Sequence, residues 1–167
     1  LYLNANYSVR PDSLEIFTVG SPFVPLSKGV NVSLKPMTKY PADKRIAVYR
    51  MVGKGFDYVG GKWLNGSVNF VTREFGNFVI LSDKVPPTIR TIYINNQAAR
   101  FKIDDALSGI NSFEATLNGK WLLMNYDAKS NTIMSEKLHK HELLKGDFVL
   151  TVTDNAGNVK VLKHRIP

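Results

Sequence analysis

A chain of 167 residues has room for one large domain or two small ones, and 44% apolar residues with 11% aromatics suffice for a real core. The absence of cysteine excludes a disulfide scaffold, thiolate-bound zinc and a thiol nucleophile. The net charge of +8 divides as +5 over residues 1–84 and +3 over residues 85–167, with no dense basic run.

Nucleic-acid binding would want a clustered basic stripe with aromatics on one face, and none is visible. A diffuse excess reads as a solvated surface, or as attraction to an anionic envelope polymer. No apolar run approaches the roughly 18 residues of a membrane span. The chain opens at Leu1 without Met or a signal peptide, so it is expected to be a piece of a longer protein whose targeting signal lies upstream.

In chain order, the first half predicts strands over Leu1–Val9, Leu14–Val19, Val30–Leu34, Arg45–Val52, Phe56–Val59, Ser67–Thr72 and Asn77–Leu81. Pro22, Pro25, Pro36 and Pro41 confine their segments to edges, turns or loops. Met37 to Lys44 is a polar loop, and Asn65-Gly66 is a hairpin turn leading into Ser67. Gly53-Lys54-Gly55 and Gly60-Gly61 read as turns rather than anion cradles.

At Asp83-Lys84-Val85-Pro86-Pro87 the pattern breaks. Consecutive prolines lack amide donors and fix φ, so no central strand runs through them. They make a short, stiff connector, and the boundary is set at 1–84 and 85–167, with the first domain open to truncation at its N-terminus.

The second half is more regular. Thr88–Ile94 is a β-branched run ending at Asn95-Asn96. Ala98–Asp104 alternates, with Ala99, Phe101 and Ile103 on one side and Arg100 and Lys102 on the other. Ser112–Leu117 and Trp121–Tyr126 flank Asn118-Gly119, a strong two-residue hairpin signal because both central residues take φ > 0. Thr132–Ser135 is short, Asp147–Thr153 points Phe148, Leu150 and Val152 inward, and Asn158–His164 closes the sheet. Helix is confined to a turn or two over Lys137–Lys145. The fold expected is all-β: two small antiparallel β-sandwich domains of immunoglobulin-like type in tandem. A single large barrel is the alternative that the Pro-Pro junction argues against.

Three groups of residues invite chemistry. His139-Lys140-His141 places two imidazoles on one face of a strand, but catalytic zinc needs three protein ligands, and the only other histidine is His164. These are read as surface histidines, with no catalytic set and no metal site in this chain. Asp104, Asp105, Asp154, Asn155 and Asn158 lie on two loops that an immunoglobulin-like topology brings to one end. Their oxygens could take Ca²⁺, which wants six to eight, or each side chain could cap its own turn. Trp63, Trp121, Tyr58 and Tyr126 could stack on sugar rings, though a sandwich Trp more often packs in or beside the core.

Phe17-Thr-Val-Gly-Ser-Pro-Phe-Val-Pro-Leu26 and Phe75-Gly-Asn-Phe-Val-Ile-Leu-Ser-Asp83, running into Val85-Pro-Pro-Thr-Ile89, carry a resemblance. Asp104 to Ile110, Asn118-Gly119-Lys120-Trp121, Tyr126-Asp127 and Thr153-Asp-Asn-Ala-Gly-Asn158 continue it. Together they resemble the region C-terminal to the catalytic domain in Bacteroidetes peptidases of the M23 (lysostaphin-like) family. That family's zinc centre uses a His-x-x-x-Asp motif and a later His-x-His, both in the peptidase domain. Here the first motif is absent and His139-Lys140-His141 lies downstream, so no catalytic residue carries over.

The resemblance implies a periplasmic, envelope-associated or extracellular parent that cuts peptidoglycan peptides and holds its zinc in a catalytic domain outside this chain. This chain would be its non-catalytic accessory region. The partners it implies are peptidoglycan or another envelope glycan, or the parent's own catalytic domain, with no nucleic acid. A free-standing carbohydrate-binding or adhesion module is the competing reading.

Overall fold

The computed structural model describes residues 5–136 and 143–167. Every strand ladder among them is antiparallel, and none of them is helical. No helix among the described residues is long and apolar enough to cross a membrane. The chain divides into two units, Leu1–Lys84 and Val85–Pro167.

The first unit holds β1 (Ala5–Val9), β2 (Glu15–Val19), β3 (Val30–Leu34), β4 (Ile46–Val52), β5 (Gly55–Gly60), β6 (Lys62–Leu64), β7 (Ser67–Thr72) and β8 (Gly76–Ser82). They form a five-stranded sheet in the order β1-β2-β8-β4-β5 and a three-stranded sheet β3-β7-β6. Phe17, Ile46, Val48, Phe78 and Ile80 of the larger sheet share one core with Leu34, Val68 and Phe70 of the smaller. The rings of Phe70 and Phe78 meet across it at 5.1 Å. Lys62-Trp63-Leu64 is a strand that its composition does not announce. It is three residues long and is held by pairing Trp63 opposite Val68, with Asn65-Gly66 as the turn. Asn65 and Gly66 both have φ > 0, as a tight hairpin requires.

The second unit holds β9 (Thr88–Ile94), β10 (Ala99–Asp104), β11 (Ile110–Leu117), β12 (Lys120–Leu122), β13 (Met124–Asp127), β14 (Thr132–Ser135), β15 (Gly146–Asp154) and β16 (Val159–Ile166). Its sheets run β13-β14-β10-β9 and β12-β11-β15-β16. Ala99, Phe101 and Ile103 face Phe148, Leu150 and Val152 across a common core, with Phe101 stacked on Phe148 at 5.4 Å and 15°. The alternation of β15 is as expected: Phe148, Leu150 and Val152 are buried, while Val149, Thr151 and Thr153 are only half-buried.

The run Trp121–Tyr126 is not one strand. Its first part, β12, pairs back on β11 through the Asn118-Gly119 turn; its second, β13, pairs with β14 in the opposite sheet. The chain changes sheets at Leu123, whose carbonyl accepts the Glu136 amide at 2.9 Å, and Met124 turns into the core.

Asn118 does more than turn the chain. Its Oδ1 accepts the Asp147 amide at 2.9 Å and its Nδ2 donates to the Lys145 carbonyl at 2.8 Å, fixing the entry to β15. Gly146 lies against this carboxamide with φ of +112°, and a Cβ there would overlap the Asn118 side chain. The helical turn expected over Lys137–Lys145 falls largely outside the described residues; Leu143 to Lys145 are irregular.

Candidate functional site

Each unit has a place where polar side chains gather in a defined geometry beside a loop. In the second unit the loops after β10 and after β15 meet. Asp105 Oδ2 accepts the amides of Leu107 at 3.1 Å and Gly109 at 2.8 Å and the Ser108 hydroxyl at 3.3 Å. Asp154, fully buried, accepts the Asn158 amide on Oδ1 at 2.8 Å and the Asn158 Nδ2 on Oδ2 at 2.9 Å. Asn155 then joins the loops: its backbone N–H donates to the Gly109 carbonyl at 3.0 Å, and its Nδ2 donates to the carbonyls of Ser108 at 2.8 Å and Gly109 at 3.3 Å.

The structure therefore brings together Asp105, Asp154, Asn155 and Asn158, with carboxylate oxygens of Asp105 and Asp154 within 4.8 Å. Asp104 stands apart: strand alternation turns it to solvent, and its carbonyl accepts the Thr88 hydroxyl at 3.1 Å. The group is a fastener: each carboxylate organises its own turn, and Asn155 ties the turns together.

His139 and His141 lie outside the described residues. His164 is exposed on β16. Of the four aromatics singled out by sequence, Trp121 is 66% exposed on β12, Tyr126 lies against Phe113 at 5.9 Å, and Tyr58 meets Tyr49 edge-on at 5.5 Å. Tyr126 also lines a small cavity of about 190 Å³, while Trp63 takes part in a larger groove.

That groove, in the first unit, lies between the loop after β3 and the β6–β7 hairpin and has a volume of about 520 Å³. This falls within the roughly 300–1,000 Å³ usual for small-molecule sites. Tyr40 and Trp63 pack at 5.5 Å and 42°, both half-buried, and Trp63 Nε1 donates to the Ile46 carbonyl at 3.1 Å, which fixes the indole. Met37 and Leu64, 80% and 65% exposed, form lips, and Lys35 and Lys39 stand on the same rim.

The loop is held from below by Glu15, only 4% exposed at the start of β2. Its Oε1 accepts the Met37 amide at 3.1 Å, the Thr38 amide at 2.8 Å and the Thr38 hydroxyl at 2.9 Å. Oε2 is buried, and no group among the described residues meets it at hydrogen-bond geometry. Burial and the nearby Glu15 charge, in that order, raise the pKa of Tyr40, placing the groove's ring beside this carboxylate.

Glu15, Lys35, Lys39 and Tyr40 escaped sequence reasoning. The one available signal was the pair Pro36 and Pro41 bracketing a loop that contains an aromatic residue.

Residues 1–83 match the model of the Zu5-like domain family. No curated protein matches the chain. Among solved structures, an apo expansin of Clavibacter michiganensis is similar at 14% identity, with a TM-score of 0.37, over 74% of this chain and 68% of that one. That likeness is too distant to assign a fold or a ligand.

Proposed function

We propose that this chain is a non-catalytic accessory region, built as two immunoglobulin-like sandwiches in tandem, that positions or docks a cell-envelope or secreted zinc peptidase of the M23 type at peptidoglycan. The observation that carries this reading is the fastening of the second unit's loop end. Asp105, Asp154, Asn155 and Asn158, the side chains best suited to chemistry there, hold two loops in place. Such an arrangement makes a rigid body for presentation. A nucleophile, base and orienter acting on a substrate would need free atoms aimed into a cleft.

Calcium at this end would have to share oxygens that already cap turns. Both oxygens of Asp154 accept from Asn158, and Oδ2 of Asp105 accepts three donors. The turn-capping role is therefore the one proposed, and zinc belongs to the parent's catalytic domain. The resemblance to the region following lysostaphin-like catalytic domains supports the envelope setting. The gene upstream of the Leu1 codon tests the parent: an encoded His-x-x-x-Asp followed by His-x-His supports it, and a domain of another kind there overturns the M23 assignment.

The second reading, a free-standing carbohydrate-binding module, is favoured by the Tyr40–Trp63 groove. The two readings share a binding function and part over the parent.

A further inference from the structure

We infer that the Tyr40–Trp63 groove of the first unit is a binding site for a glycan chain bearing carboxylate or phosphate groups. The inference rests on the reading of the chain as a binding module and names where that binding occurs and what chemistry it takes.

Three observations carry it. The first is the floor. Sugar rings present flat faces of C–H groups, and half-buried aromatic rings held in one orientation are the surface that accepts them at little entropic cost. Tyr40 and Trp63 are held in this way, the indole by its bond to Ile46 and the Tyr40 loop by Glu15.

Charge is the second. Arg10, Arg45 and Arg50 pair with Asp12, Asp43, and Asp57 and Glu74, while Glu15 is taken up by the amides of Met37 and Thr38. Five of the six acids in residues 1–84 are thus matched to arginines and amides, Asp83 being the sixth, and the +5 of this half is carried largely by lysines. Two of these, Lys35 and Lys39, line the groove, and among the described residues neither has an ion pair. Unpaired ammonium groups beside an aromatic floor complement an anionic ligand.

The third is form. The groove is open, and its wall offers the Thr38 and Asn65 side chains beside the rings, so a polymer can lie along it with hydroxyls in reach of polar groups. An acidic peptide would satisfy the lysines and the Met37 and Leu64 lips but has no special use for a pre-set aromatic floor.

The test uses the full chain carrying Trp121→Phe, so that indole fluorescence reports Trp63. The probes are polygalacturonate, neutral dextran and poly-glutamate. Polygalacturonate is expected to shift the Trp63 emission and to bind more tightly than either other probe. Lys35→Glu with Lys39→Glu, at two exposed positions that leave the fold intact, should weaken it by about tenfold or more, the effect of reversing two charges at a site. Unchanged melting of that variant separates lost binding from lost folding. Equal binding of poly-glutamate or dextran, no change in Trp63 emission, or full affinity in the charge-reversed chain would each overturn the groove. A charge-reversed chain that keeps full affinity for polygalacturonate and still sediments with peptidoglycan overturns the groove and leaves the module reading standing. A wild-type chain that binds polygalacturonate but not peptidoglycan overturns the docking reading and leaves the groove.

Discussion

Both units use a buried carboxylate to hold a loop, but they do it over different spans. In the second unit Asp105 and Asp154 bond to groups two to four residues along the chain, and Asn155 bridges the two closed turns. In the first, Glu15 reaches across 22 and 23 residues to Met37 and Thr38, and the loop it holds walls a groove. A local fastener closes a loop on itself; a distant one can hold a loop open. That difference explains why one end reads as a rigid cap and the other as a place for a ligand.

Core truncation sets the upper scale for breaking this comparison. Leu150→Ala should cost about 2–5 kcal/mol in chemical denaturation, the usual range for a fully buried leucine. Thr151→Ala, half-buried on the opposite face, should cost well under half as much. Equal losses would mean the inward register of β15 is wrong.

Next comes Glu15→Ala, expected to cost about 1–3 kcal/mol because two backbone amides and a hydroxyl lose their acceptor together. It should also change Trp63 emission, since the Tyr40 loop loses its anchor. Glu15→Gln keeps one acceptor oxygen and should lose less. An unchanged indole spectrum in Glu15→Ala would show that the carboxylate does not shape the groove.

Asn155→Ala should cost about 1–2 kcal/mol through its two carbonyl bonds, and it should loosen amide-exchange protection at Ser108 and Gly109 without any effect on Trp63. Millimolar Ca²⁺ against EDTA should leave the melting temperature of the wild-type chain unchanged. A rise with Ca²⁺ would show an ion bound by the folded state and would sink the turn-capping account.

Asp43 gives the smallest effect. Its hydrogen bonds with Arg45 lower its pKa to about 2 from an ordinary 3.8. A depressed carboxylate adds stability above its unfolded pKa and loses it as pH falls through the folded value. Asp43→Asn should therefore remove a small contribution that is present at neutral pH, and flatten the shallow loss of stability between about pH 4 and 2. A steep change at neutral pH would contradict the assignment.

Much of the strand pattern was legible because it is local. Alternation in Phe148–Thr153 gave the buried face, and Asn118-Gly119 and Asn65-Gly66 marked their turns by chemistry that demands φ > 0. The turns at Asp105 and Asp154 were legible for the same reason, since Asp, Asn and Gly at short offsets are turn chemistry, whereas their meeting was read from the expected immunoglobulin-like topology. Asp104, grouped with them by sequence, turns to solvent because one step along a strand reverses the side chain's direction. The sheet change at Leu123 and the groove were not legible. Each depends on partners far along the chain: Glu136 for Leu123, Met37 and Thr38 for Glu15, and Tyr40 for Trp63.

The proposed role requires that this chain bind peptidoglycan and not cut it. Purified chain incubated with peptidoglycan sacculi, with and without added zinc, and then centrifuged, tests it most directly. That role predicts chain in the pellet and no soluble peptide released in either condition. Zinc-dependent release of peptides, or chain left wholly in the supernatant, would contradict it.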